Sequence, residues 1–354
     1  MIALDNALER GEHMQPDPER LFFIVGTGRC GTTLLQAMLT SHPNLYIPPE
    51  LRYFGRHEPG VRFSDPLRDE HVEAYLALCQ RDIWWGDMGM DAGAFQDAVR
   101  GGLRTSRDIY LWILGHVATR RGNRKRRCGE KTPYYVLFAE HIAELFPRAK
   151  FIQLHRDPRD VAASYLEQYW VSGGTALRVA NYLLHVFRRV EQAAKHIGPE
   201  RFCTVKYEEL VDHPERELRR LCAFLGEDYD PAMLQFAKRE DVGYLEVEEG
   251  WKGMTRQDLT RARVGRYRGR LTPRQIWTVE RRLKSMLPQL GYALASPAPA
   301  PIHWHGLLWA ERFYRRALRT LGVRQGLLDE QAVLSRRNSL VAAREKRPET
   351  GESG

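Results

Sequence analysis

The sequence predicts an α/β fold, a parallel sheet with helices on both faces and a C-terminal helical extension behind it. Three observations predict it. Residues 21–25, 150–155 and 201–205 are short, apolar-rich runs of strand length. The first two lead directly into a loop and then a stretch with helical spacing. With 354 residues, 43% of them hydrophobic, the chain can bury a large core in one sizeable domain.

Residues 1–19 read as an arm, 20–295 as the main domain, 296–302 as a Pro/Ala linker and 303–354 as a basic helical extension. Run 21–25 suits a buried strand. Residues 26–31, Gly-Thr-Gly-Arg-Cys-Gly, form a loop with three glycines. Residues 32–39 open a helix with Leu34, Leu35, Met38 and Leu39 on one face. Strand, glycine loop and helix N-terminus together make an anion site, because backbone N–H groups and the helix dipole both favour negative charge there. A nucleoside-triphosphate loop reads G-x-x-x-x-G-K-[ST]. Gly26, Gly31 and Thr33 hold three of those positions, Thr32 stands where the Lys belongs, and Arg29 lies inside the loop. The expectation is a P-loop-type cradle without its usual lysine. A tight turn that binds nothing is the plain alternative, but it needs neither the arginine nor the paired threonines.

Composition narrows the class. No long apolar run exists, so no membrane-crossing helix is expected. The first twenty residues are mixed in charge and unlike a secretory leader. Five scattered cysteines lack any C-x-x-C pair, which points to a reducing compartment, the cytoplasm, with neither a disulfide framework nor a zinc site. A net charge of +9 suits an acidic ligand, and equally nucleic acid or an anionic membrane.

The loop GTGRCGTTLL resembles the 5′-phosphosulfate loop of sulfotransferases that use 3′-phosphoadenosine 5′-phosphosulfate, PAPS. The resemblance covers roughly residues 20–295. It implies that Gly28, Arg29, Cys30, Gly31, Thr32 and Thr33 cradle the 5′-phosphosulfate, with Cys30 where a serine is usual. It implies transfer of a sulfuryl group to an acceptor hydroxyl of a carbohydrate, a small molecule or a protein tyrosine, with no metal required. Desulfated donor, 3′-phosphoadenosine 5′-phosphate (PAP), is the implied product.

Residues 45–47 read as a short strand, and Pro48-Pro49-Glu50 follows, 21 residues after Arg29. A lone Glu is by default an ordinary loop carboxylate. The resemblance to the tyrosylprotein branch implies instead that Glu50 is the catalytic base. Residues 73–78, 94–99 and 109–118 read as short helices, and 120–127 as a basic, solvated loop. Tyr53-Phe54-Gly55 and Trp84-Trp85-Gly86 are candidates for an acceptor pocket, or simply core. Lys131 lies 25 residues before Arg156, the family's spacing for the lysine that stabilises the leaving phosphosulfate oxygen. Two residues on stands Pro133, where the small-molecule branch carries a catalytic His, and this favours Glu50. A helix is expected at 134–146.

Arg156 and Ser164 match the family's 3′-phosphate motif, and Arg suits a bidentate grip on a dianion. Arg159 and Asp160 read as a local ion pair. Gln168 stands where the tyrosylprotein branch has an Arg. Residues 177–197 form a long amphipathic helix, and Tyr207 matches the family's adenine-contacting tyrosine, or is a core tyrosine. Residues 250–253, Gly-Trp-Lys-Gly, suggest part of the acceptor mouth. Gly265-Arg266-Tyr267 loosely matches the segment that closes over the 3′-phosphate, and Thr272-Pro273 caps a helix reaching about residue 287. The tail carries ten Lys/Arg against six Asp/Glu over residues 301–354. It is suited to docking on the domain, to pairing with a second protomer, or to peripheral contact with an anionic membrane. A nucleic-acid partner is not expected. The rival functions are a P-loop kinase, which needs Mg²⁺ and the missing lysine, and a non-catalytic basic binding protein.

Overall fold

In the computed structural model the apolar run after residue 20 forms β1, Phe22–Gly26, every residue of it buried. The structure describes residues 14–82, 85–86, 88–123, 125, 127–167, 175–238, 257, 259–296, 301–306, 308–310 and 313. The chain divides into two compact units. One comprises residues up to Arg156 together with Val186–Ala262, the other Asp157–His185 together with residues from Arg263 onward.

The first unit holds the sheet. After β1 come α1 (Thr32–Thr40), β2 (Leu45–Tyr46), a single turn of helix at Pro59–Arg62, the longer helices α2 (Asp69–Gln80), α3 (Ala92–Arg100) and α4 (Ser106–Arg120), then β3 (Arg127–Lys131). Helix α5 (Ala139–Leu145), β4 (Lys150–His155) and β5 (Phe202–Lys206) follow. Among the described residues the five strands order as β2-β3-β1-β4-β5, and every pairing is parallel. Parallel pairing buries both faces, which is why β1 reads as an unbroken apolar run, and β4 is buried from Phe151 onward although it carries Gln153 and His155. Phe23 stacks on Phe151 across the β1–β4 ladder, with ring centroids 5.3 Å apart. Register sets Ile24 beside Lys131 and Gly26 beside Leu154, so the loop leaves the sheet at the carboxyl ends of its neighbours. That edge is where open α/β sheets bind ligands.

Several expectations are corrected. Strand β3 was not anticipated, because RCGEK carries three charges and no apolar pattern. It is nonetheless buried throughout. Gly129 passes directly under Phe22, where an added Cβ would come within 2.4 Å of the ring. Arg127, assigned from sequence to a solvated loop, is buried and pairs with Glu227 at 3.3 Å and with the Leu225 carbonyl. The helix expected at 134–146 begins as a 3-10 turn, Pro133–Phe138, before α5.

The second unit contains Pro158–Leu166, which becomes α6, and Pro273–Arg282. Asp157 caps α6 by accepting from the Arg159 N–H at 2.9 Å, and Pro158 occupies its first position. Thr272 and Gln275 form a capping box that starts the later helix, which ends at Arg282 rather than near 287. Trp84, Gln168 and the 250–253 motif lie outside the described residues, as does most of the C-terminal extension.

Candidate active site

The glycine loop turns on three left-handed residues. Gly28, Arg29 and Gly31 have φ of 68°, 55° and 107°. Arg29 is the costly one, since a residue with a Cβ seldom sits there, and such strain persists only where surrounding structure holds it. Thr27 Oγ1 donates to the Gly28 carbonyl at 3.0 Å and helps close the turn. Gly31 must lack a side chain for a second reason: its Cβ would lie 2.4 Å from the Tyr207 ring. Cys30 turns its thiol inward, fully buried, and burial pushes that thiol up in pKa. Thr32 opens α1 with Thr33 beside it, so the loop delivers the helix N-terminus to the sheet edge.

Helix α1 also fixes the next candidate. Gln36, buried on α1, donates from Nε2 to the Pro48 carbonyl at 2.8 Å. The segment after β2 is thereby held on the sheet, and it carries Glu50. Lys131, at the end of β3, has no exposed side-chain surface, and its Nζ donates to Glu50 Oε1. Arg52 Nη2 meets the other carboxylate oxygen at 3.2 Å, from a residue whose own φ is 54°. The structure thus brings Glu50 and Lys131, 81 residues apart in sequence, into direct contact.

Glu130, the residue before Lys131, is fully buried. Its Oε1 accepts from the Leu51 N–H at 3.2 Å and from Thr132 Oγ1 at 2.8 Å, and its Oε2 accepts from the Tyr110 hydroxyl at 2.8 Å. Burial pushes this carboxyl up to about 7, while the donors of Tyr110 and Thr132 draw it back down. Sequence reasoning missed Glu130 and Arg52. A charged residue in a strand that has no strand pattern gives no periodic signal, and the adjacency of Glu130 to Lys131 was the only clue.

Arg156 follows β4, buried, with its guanidinium 4.8 Å from the centroid of the Tyr207 ring. Tyr207 opens a helix, Tyr207–Asp212, directly after β5. One aromatic ring therefore covers both the loop glycine and the arginine. In the second unit Ser164 lies on α6, buried. Arg266 is held by Glu167, both carboxylate oxygens at 2.9 Å. Arg159 does not pair with Asp160. It binds Asp157 at 2.7 Å and Glu280 at 2.6 Å, with the Tyr267 ring 4.5 Å away. Asp160 accepts instead from the backbone N–H groups of Gly265 at 2.8 Å and Tyr267 at 2.7 Å. Helix α6 thereby fixes the turn that presents Arg266.

The family model described as Sulfotransferase family matches residues 22–231. Nodulation protein NoeE of Sinorhizobium fredii is 29% identical over 329 residues, covering 84% of this chain and 72% of that protein. Protein-tyrosine sulfotransferase A of Caenorhabditis elegans is 27% identical over 232 residues, covering 64% of this chain and 55% of that one. Among solved structures, the sulfotransferase domain of the Synechococcus PCC 7002 olefin synthase superposes with a TM-score of 0.53 and 25% identity, over 80% of this chain and 98% of that domain.

Proposed function

The chain belongs to the sulfotransferase family, and from that premise we propose that it moves the sulfuryl group of PAPS to an acceptor hydroxyl, with Glu50 as base and Lys131 as the cation on the leaving side. Family membership decides against the kinase and against a non-catalytic basic protein. The observation that carries the assignment is the buried Lys131–Glu50 contact at the carboxyl end of β3, next to the strand that feeds the glycine loop.

The residues present fit such a donor. Arg29, the loop and the N-terminus of α1 suit its 5′ end, and Arg156 suits a further phosphate. PAPS supplies an activated sulfuryl group, so the chain has little covalent work to do and contributes position and charge. Glu50 takes the proton of the acceptor oxygen as that oxygen bonds to sulfur. Lys131 and the loop hold the charge that appears on the departing phosphate oxygen as its bond to sulfur breaks. Tyr207, stacked on Arg156, is suited to line the nucleotide, and Ser164 and Arg266 are assigned to its 3′-phosphate on the motif match. All five cysteines are free thiols. Among the described residues no helix is long and apolar enough to cross a membrane.

The test has two arms. PAP should raise the melting temperature without added metal, and Arg156→Ala should weaken its binding by about 2 kcal/mol, the scale of a lost charged hydrogen-bond partner. Equal stabilisation by ATP-Mg²⁺ would count against the assignment. Glu50→Gln keeps shape and removes basicity, so it should retain PAP affinity and lose transfer from labelled PAPS by about 10²-fold or more. Near-normal turnover would redirect the search to His57, whose Nε2 meets Asp82 at 3.1 Å, or to the buried His116.

A further inference from the structure

We propose that Glu130 is a positioning residue for the transfer step, because its carboxylate ties the backbone beside Glu50 to the side chain beside Lys131 and so sets how base and cation face one another. The inference rests on the reading of Glu50 and Lys131 given above.

Three donors from three separate segments converge on Glu130. Leu51, which follows Glu50, donates its backbone N–H, and Thr132, which follows Lys131, donates its hydroxyl to the same Oε1. Tyr110, from the middle of α4, takes the other oxygen. The loop after β2 and the end of β3 thus meet on one atom. Glu130 is fully buried, and the groups around it are hydrogen-bonding partners, Tyr135 among them, with no cation bonded to it among the described residues. Burying a carboxyl group on such terms is costly in either protonation state, and a sheet that only needed filling would take Val or Leu there. An apolar residue, however, would leave the Leu51 N–H without its acceptor, and the loop that carries Glu50 would lose the tie nearest that residue. A misplacement of about 1 Å at reacting groups costs about 10²-fold in rate. A carboxylate kept at this cost beside the reacting pair is therefore best explained by the precision it gives that pair.

The experiment uses the full chain and ³⁵S-labelled PAPS, with p-nitrophenol as acceptor and water as the acceptor always present. Glu130→Gln should keep PAP affinity and the KM for PAPS within about twofold while kcat falls about 10-fold, and Glu130→Ala should lose about 10²-fold. Because Glu130 acts through Glu50, the double variant Glu130→Gln/Glu50→Gln should be no slower than Glu50→Gln alone. A merely structural role would lower the melting temperature and leave kcat of the folded fraction unchanged. The proposal is overturned if kcat of Glu130→Gln stays within twofold of the parent, or if the two losses multiply in the double variant. Glu130→Gln is nearly isosteric, so it carries the test even where Glu130→Ala fails to fold. If Glu50→Gln and Lys131→Ala both bind PAP and keep full turnover, the assignment of base and cation falls, and this inference with it. If those two lose turnover and Glu130→Gln does not, only the positioning role falls.

Discussion

Two buried groups pull the pH dependence of stability in opposite directions. Glu130 is raised by burial from the ordinary 4.5 to about 7, so the folded chain holds its proton where the unfolded chain has lost it. Its contribution is therefore present at low pH and is lost as pH rises from about 4.5 through 7. His155 is lowered to about 4 from 6.5 by burial and by nearby Lys206, so folding there demands the neutral ring and stability grows as pH rises through that window. Between about 4.5 and 6.5 the two oppose each other. Glu130→Gln removes one of them. Chemical denaturation across pH 5 to 8 should show this variant gaining on the parent as pH rises, and a constant difference would mean that Glu130 is ionised throughout. None of this was legible in sequence, where Glu130 was one more charge beside a motif lysine. Lys131 and Glu50 could be named only because their spacing matched a family. The residues that hold them, Arg52, Glu130 and Gln36, match no pattern, since each acts through a contact with a segment distant in sequence.

At the level of elements, what could be read is what hydrophobicity writes. Strands β1, β4 and β5 and helix α1 match the sequence reading within a residue or so, because each carries apolar residues that mark it and α1 buries a continuous face. Strand β3 hid because its charges are neutralised by partners from elsewhere: Arg127 by Glu227, Lys131 by Glu50. Asp160 was misread for the same reason. Neighbouring opposite charges suggest a pair, yet Asp160 serves two backbone N–H groups 105 and 107 residues away. Asp160→Ala should leave both donors buried without an acceptor, destabilising the chain by about 1–3 kcal/mol. Asp160→Asn, which keeps one acceptor oxygen, should recover part of that. If the turn at 265–267 supports Arg266 in nucleotide binding, Asp160→Ala should also weaken PAP measurably, by calorimetry, at a temperature where the protein is fully folded. Unchanged PAP affinity in the folded variant would remove Arg266 from the site.

For the whole molecule, every motif assigned to donor or acceptor lies before the Pro/Ala segment at 296–302. Truncation after Ala298 should therefore leave PAP binding and turnover intact, and a folded truncated protein that no longer binds PAP would place the extension inside the active domain. The fold class was legible because a strand, a glycine loop and a helix N-terminus form a local unit that needs no distant partner. The acceptor was not legible, since the segments that would meet it are aromatic-rich stretches whose residues serve equally well as core. Tyr53, Phe54, Tyr110 and Tyr135 pack against one another, with centroids 4.9 to 5.6 Å apart.

The Lys131–Glu50 contact also bears on how the chain assembles. Strand β3 cannot take its place beside β1 with a bare ammonium, because a lone buried charge is far more costly than a paired one. The loop carrying Glu50 must arrive with it, across an interval of 81 residues that includes helices α2, α3 and α4. Closing so long an interval is slow relative to local helix formation. We therefore expect the two halves of the proposed reacting pair to reach their places in a single late event. A refolding experiment that follows both nucleotide binding and intrinsic fluorescence should find binding among the last properties to return, and Glu50→Ala should slow that final phase.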